Sequence, residues 1–299
     1  MAQSRVSTAL GLKAIVTKQR TFFFAHARPD EVLAAREKSG LLWLPVGPLE
    51  WHGPHLPFGV DALNAESTAL ACARKLGGLI LPTLFCGTER ERSSNMLADL
   101  ELDPTAHIVG MDFPAHSLPS GYFPEEEFGL QVRGWIERAA EWRFSLLVIV
   151  NGHGAVNHNA TLDRLVQAHR AGNSAIPVLA FLALVAESSG RLNIGHASAD
   201  ETSLMQIDHP NDVALELLPP KEIRLKSANF GIVDDLTFRG HPLSDHTLRD
   251  EDDPRLHSNA GRGQAVRAET VAYICGKVHE FLLDPTAPRA NLSHTINIR

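Results

Sequence analysis

The chain has 299 residues, 44% of them hydrophobic and 21% charged. This is ordinary globular composition with enough apolar material for a sizeable core, which argues against disorder. A formal net charge of −7 argues against nucleic acid or an anionic membrane as the main partner.

The first twenty residues, Met1–Arg20, lack the apolar core and small-residue cleavage site of a secretory signal. No apolar run is long enough to span a bilayer. Leu41–Val46 (LLWLPV) reads as a buried strand that Gly47 and Pro48 close. Asp61 then opens a helix-forming stretch that ends at Gly77-Gly78, the expected punctuation. Leu79–Phe85 is a second apolar run, with Pro82 marking an edge or a strand end. Thr88–Ser120 is polar and rich in charge, the profile of a functional loop or lid.

Glu125–Arg143 reads as an amphipathic helix, with Phe128, Leu130, Val132, Trp135, Ile136 and Ala139 on its inner face. Ser145–Val150 (SLLVIV) is the strongest strand signal. A helix carrying Leu162, Leu165 and Val166 follows it, and Ala175–Leu184 is another buried strand. Lys221–Arg255 reads as loops, and Gly263–Leu283 as a long C-terminal helix. The alternation of strand and helix predicts an α/β fold with a parallel sheet covered on both faces. No linker divides the chain, so one domain is expected, with a core over about 30–285 and a tail over 286–299.

Cys72, Cys86 and Cys275 match no zinc-ribbon or redox spacing, and an odd count suits no disulfide framework. They read as reduced thiols, and the cytoplasm as the expected compartment. The chain has 15 His against two Tyr, and three motifs use those His.

The first motif is Glu50-Trp51-His52-Gly53-Pro54-His55, with Asp61 following. Residues two apart in extended chain share a side, so Glu50 and His52 can face one pocket, to which Asp61 can return. Two carboxylates and an imidazole suit Zn²⁺, Mn²⁺ or Fe²⁺. Alone, the motif reads equally well as a polar loop with Asp61 capping the helix. The second is Asn151-Gly152-His153-Gly154 at the end of the strongest strand, where flanking Gly residues let the backbone approach a ligand. There is no GxGxxG and no P-loop lysine, so a nucleotide site is not indicated. The third is His196-Ala197-Ser198-Ala199-Asp200-Glu201-Thr202-Ser203. Alone it reads as a helix start, with Asp200 and Glu201 favourable in the first turn. Together the motifs supply enough donors at one sheet edge for two ions sharing a bridging carboxylate.

In this order the three motifs resemble the creatininase family, from about Leu41 to Met205 and more weakly to Gly263. The resemblance implies a single-domain three-layer α/β/α fold, a hexameric homo-oligomer and two divalent ions, Zn, Mn or Fe. It places Glu50, His52, Asp61 and His153 at ligand positions, with Asp61 as the bridge, and His196 at the position of a catalytic His. Creatininase itself carries a ligating Glu where this chain has Ala155, and Glu201 is the candidate replacement. It also has a Trp before the catalytic His, where this chain reads Arg191-Leu192-Asn193-Ile194-Gly195, so creatinine is not the expected substrate. Met111–Phe128 gives a longer, aromatic and acidic pocket wall suited to a polyol or sugar-like ligand, and His116 and Tyr122 are its candidate substrate-binding residues.

The expected function is hydrolysis of a small cyclic amide-like or keto-polyol compound by a water shared between the two ions, with His196 exchanging the proton. Ring opening of a dehydro-inosose and N-formyl amide hydrolysis are the neighbouring alternatives. A non-catalytic oligomeric metal-binding protein is the alternative of a different class. The expected partner is a small molecule, with no nucleic acid and no membrane.

Overall fold

The computed structural model describes residues 19–112, 118–171, 176–184, 195–225, 227–228, 231–232 and 250–284. In chain order its elements begin with α1 (Pro29–Lys38), β1 (Leu41–Gly47), α2 (Val60–Leu76), β2 (Leu79–Ile80), β3 (Leu84–Phe85) and α3 (Ser94–Asp99). They continue with α4 (Glu125–Glu141), β4 (Leu146–Asn151), α5 (Val156–Ala171), β5 (Val178–Leu182) and α6 (Ala199–Asp208). Last come β6 (Ser227–Ala228), β7 (Gly231–Ile232), α7 (Pro254–His257) and α8 (Ala260–Leu283).

The sheet order is β2-β1-β4-β5, with every pairing parallel. β3 also pairs with β1, at its far end: Leu42 sits opposite Leu79, and Val46 opposite Leu84. The expected run Leu79–Phe85 is thus one edge strand broken in the middle. Pro82 lies in the break, where a residue without an N–H costs no ladder bond.

β1 and β4 are wholly buried, yet their side chains alternate between two cores. Leu42, Leu44, Val46, Leu147 and Ile149 face Phe128, Val132, Ile136 and Ala139 of α4 and Leu162, Leu165 and Val166 of α5. Leu41, Trp43, Leu146, Val148 and Val150 face Ala65, Ala69, Cys72 and Ala73 of α2 and Val271, Ile274, Val278 and Phe281 of α8. Burying each large side chain of this kind stabilises the fold by about 1.5–3 kcal/mol. The small α2 residues let that helix lie close to the sheet, and Trp43 Nε1 donates to the Gly77 carbonyl at 2.9 Å beyond its end. The result is the expected three-layer α/β/α arrangement with a mostly parallel sheet.

Three expectations change. Leu130 is 53% exposed rather than on the inner face of α4. Thr88–Ser120 is more than a loop: it contains α3 and an apolar cluster of Leu97, Leu100, Ile108 and Met111. The stretch Lys221–Arg255 holds a short antiparallel pair, β6 with β7, and the start of α7, although most of it lies outside the described residues. The tail after Asp284 and residues 185–194 also lie outside them.

Candidate metal centre

β1 and β4 are neighbours in register, Val46 opposite Asn151, so their carboxyl ends release the first two motifs side by side. Two glycines seat α2 on that edge. A Cβ on Gly47 would lie 2.7 Å from Asp61 Cβ, and one on Gly152 would lie 2.5 Å from the Asp61 carbonyl carbon. Only hydrogen fits at either place, so Asp61 in the first turn of α2 sits directly over the strand ends. The third motif reaches the same place through the start of α6.

The Glu50, His52, Asp61, His153, His196 and Glu201 side chains converge there, each residue between 1% and 8% exposed. Asp61 is central. Its Oδ1 lies 3.2 Å from His52 Nε2, and its Oδ2 lies 3.0 Å from His153 Nδ1. Glu201 Oε2 is 3.9 Å from His52 Nε2, and Glu50 Oε2 is 3.2 Å from His153 Nδ1. Donor atoms of His52, Asp61 and Glu201 all lie within 4.8 Å of one another, as do those of Glu50, Asp61 and His153. Glu50, His52 and His196 form a third such group.

The surrounding bonds aim these atoms. His52 Nδ1–H donates to the Glu50 backbone carbonyl at 3.0 Å, which leaves Nε2 directed at Asp61 and Glu201. Asn151 accepts from the His153 N–H at 2.9 Å and donates to its carbonyl at 2.7 Å, clamping the peptide on both sides. This clamp by Asn151 is not expected from the motif, and its place at the head of the second motif is the one signal for it. Glu201 Oε2 accepts from the Ala197 N–H at 2.6 Å. His196 Nε2–H donates to the Trp51 carbonyl at 2.5 Å, and its Nδ1 lies 3.8 Å from Glu50 Oε2.

Packing carboxylates and imidazoles together away from water shifts their proton affinities. Burial alone would lower His52, but Asp61, Glu201 and Glu50 raise it to about 10. His153 is raised well above the usual range by Glu50 and Asp61, against its burial. Burial would raise Glu50, yet His153, His196 and His52 hold it well below the carboxylate range. Glu201 is pushed up to about 7, chiefly by burial and partly offset by His52. His196 is pushed down to about 4, by burial and then by His52, and His55 to about 3 for the same reasons.

This donor set fits divalent cations. His52 Nε2 and Asp61 Oδ2 are inaccessible to solvent and make no hydrogen bond despite their close neighbours. Converging donor atoms without hydrogen-bond geometry are what a cation that displaces the His52 proton would satisfy.

The other expected site residues fall around this centre. Tyr122 Oη donates to Glu50 Oε1. His55, which carries no assigned role in the sequence reading, is buried, with Nε2 3.0 Å from Thr202 Oγ1. His116 lies outside the described residues. No helix among the described residues is long and apolar enough to cross a membrane.

The family model for creatininase, described as creatinine amidohydrolase, matches residues 25–109 and 122–275. Among solved structures, a crystal structure of creatinine amidohydrolase (creatininase) matches with a TM-score of 0.61 and 22% identity, over 87% of this chain and 98% of that one. A structure titled creatininase Mn gives a TM-score of 0.61 at 20% identity, with the same coverage. A mutant creatininase of Zn-Zn type gives 0.61 at 21% identity, again over 87% of this chain and 98% of that one. A comparison with curated proteins gave no match. With the family model covering most of the chain, this protein belongs to the creatininase family of metal-dependent amidohydrolases.

Proposed function

We propose that the protein is a binuclear hydrolase acting on a small cyclic amide-like or keto-polyol compound. In this reading His52, Asp61 and Glu201 would hold one divalent ion and Glu50, Asp61 and His153 the other, with Asp61 common to both groups. The reading is carried by the way the two oxygens of Asp61 diverge, one 3.2 Å from His52 and the other 3.0 Å from His153. Zn and Mn are the favoured metals, since related folds are titled with each, and Fe suits the same donors.

Ions held there would supply Lewis acidity and a water that ionises near neutral pH. The chain's own residues handle the proton. With Nε2–H committed to the Trp51 carbonyl, His196 keeps Nδ1 free toward the centre. A neutral imidazole in that tautomer accepts a proton from the attacking water and returns it to the leaving group. Buried walls around the centre limit competing water. By the same family reading the enzyme is a single-domain homo-oligomer, a hexamer, that acts on a small molecule, and its free cysteines favour the cytoplasm.

The test is metal content per chain in protein purified without chelator, for the wild type and for Asp61→Ala, followed by turnover of a panel of cyclic amides, lactones and keto-polyols. Close to two ions in the wild type, largely lost from the variant, is the expected result. A wild type that takes up no Zn²⁺ or Mn²⁺ would sink the metal centre. Two ions with no turnover of any panel member would favour a metal-binding protein without catalysis.

A further inference from the structure

We propose that Tyr122 is the positioning residue that fixes Glu50 for metal binding, and that the described residues 88–112 and 118–122 are built to hold it there. This rests on the reading of Glu50 as a ligand given above.

Glu50 has two oxygens with different surroundings. Oε2 faces His153 Nδ1 at 3.2 Å and His196 Nδ1 at 3.8 Å, inside the centre. Oε1 accepts a hydrogen bond from Tyr122 Oη. An ionised carboxylate only accepts, so the phenol must be the donor. The phenol oxygen accepts in turn from the Met111 N–H at 3.2 Å. Both functions of the hydroxyl are therefore used, and its direction is fixed. With Oε1 engaged, Glu50 presents a single oxygen to an ion and cannot swing to chelate with two. That leaves coordination space for water or substrate on the same ion.

The backbone reinforces the arrangement on both sides of Glu50. Ser120 Oγ accepts from the Trp51 N–H at 3.0 Å, and the Gly121 N–H donates to the Leu49 carbonyl at 2.6 Å. Residues 120, 121 and 122 thus address residues 51, 49 and 50, in a short antiparallel contact. The Ser120 N–H is anchored to Asp112 Oδ1 at 2.7 Å. Behind them, the apolar cluster of Leu97, Leu100, Ile108 and Met111 packs against Trp51. At Gly110, where φ is +58°, a Cβ would lie 2.6 Å from Tyr122 Cε2, so the backbone is stripped of a side chain where the ring passes. Gly110 and Met111 fall in the stretch 110–121 that the family model leaves unmatched. The described parts of the segment that reads in sequence as a lid form, on this geometry, a strut behind a ligand.

The test compares Zn²⁺ binding to the wild type, Tyr122→Phe and Tyr273→Phe by competition with a chromophoric chelator. Tyr273 is the chain's other tyrosine, on α8 against Phe181. The expected result is two ions in all three proteins, with one of the two affinities weakened about 10–100-fold in Tyr122→Phe alone, the range for loss of a ligand's supporting partner. Zinc addition should also perturb the tyrosine absorption of the wild type, and Tyr122→Phe should lose that signal. Unchanged affinities in Tyr122→Phe would overturn the proposal while leaving the binuclear reading intact. A Tyr122→Phe protein that loses its circular-dichroism signature of folding would make the hydroxyl a general structural group, which also overturns it. A wild type that binds fewer than two ions would instead undo the reading of the centre on which the proposal stands.

Discussion

The Ala197 N–H donates to Glu201 Oε2 at 2.6 Å, and the same oxygen lies 3.9 Å from His52 Nε2. Ala197 holds this position at a φ of +55°, a left-handed conformation that non-glycine residues adopt rarely. Such local strain persists where the surroundings over-determine it, and here it turns a backbone donor toward a carboxylate inside the centre. Burial pushes Glu201 up to about 7, so in the ion-free protein it is partly protonated near neutrality.

Glu201→Gln should therefore separate stability from metal binding. The amide oxygen can still accept from Ala197, and a costly buried charge is gone. Thermal melts without metal should match the wild type or exceed it. One of the two ions should bind more than ~100-fold more weakly, since losing only a ligand's support already costs about 10–100-fold. Two ions bound with wild-type affinity would remove Glu201 from the ligand set.

Gly152→Ala should damage fold and centre together. The new methyl would lie 2.5 Å from the Asp61 carbonyl carbon, and backbone cannot yield as a flexible side chain does. Overpacking of this kind costs about 1–3 kcal/mol, and any relief must move the first turn of α2, which carries Asp61. Urea unfolding of the metal-free protein and metal stoichiometry of the loaded protein are the two readouts. The idea fails if both remain at wild-type values.

Metal affinity should rise with pH. His52 is raised to about 10 and His153 well above its usual range, so both hold protons at neutrality when no ion is present. An ion must displace those protons, and lowering the pH restores them. The expected slope between about pH 6 and 8 is tenfold per pH unit for each proton displaced. Calorimetry in buffers of different ionisation enthalpy counts the protons released. A pH-independent affinity would contradict the protonation states inferred here.

His196→Ala should keep both ions and lose catalysis. Removing a positioned acid–base group costs about 10²–10⁴-fold in kcat. The check is kcat on whichever panel compound the wild type turns over, alongside metal content. If kcat is unchanged, the proton is handled elsewhere. If an ion is lost as well, His196 belongs with Glu50 and His52 as a donor.

The parts of the fold that can be read from sequence are those where one force dominates. β1 and β4 are wholly buried and read as unbroken apolar runs, each ending in a glycine-containing motif. Asp61 at the head of α2 carries both a helix-start signal and a donor signal, and the sequence leaves the two open; the structure puts it in the first turn without a capping hydrogen bond, its carboxylate facing His52 and His153. Leu130 escapes a reading by composition because helical angle, not apolarity, decides which face it takes. Phe128, Val132, Ile136 and Ala139 follow helical spacing, whereas a residue two past Phe128 points away. α1 is easily passed over because Ala35 is its only buried residue, and its start rests on Pro29 and the Glu31 bond to the Arg28 N–H. The described residues of 88–112 hide their order because their cluster of four buried residues is scattered between charges and packs against Trp51 of another segment.

The donors of the centre come from the end of β1, the first turn of α2, the end of β4 and the start of α6. None of these segments can gather the set alone, and the pairing of β1 with β4 joins residues about a hundred positions apart in the chain. Such distant contacts form late and slowly during folding. A cation at this centre would thus be captured only by a chain whose sheet and α6 are already in place, and its binding would then draw the folding equilibrium forward by mass action. The metal would act as a seal on a finished molecule rather than as a nucleus for an unfinished one.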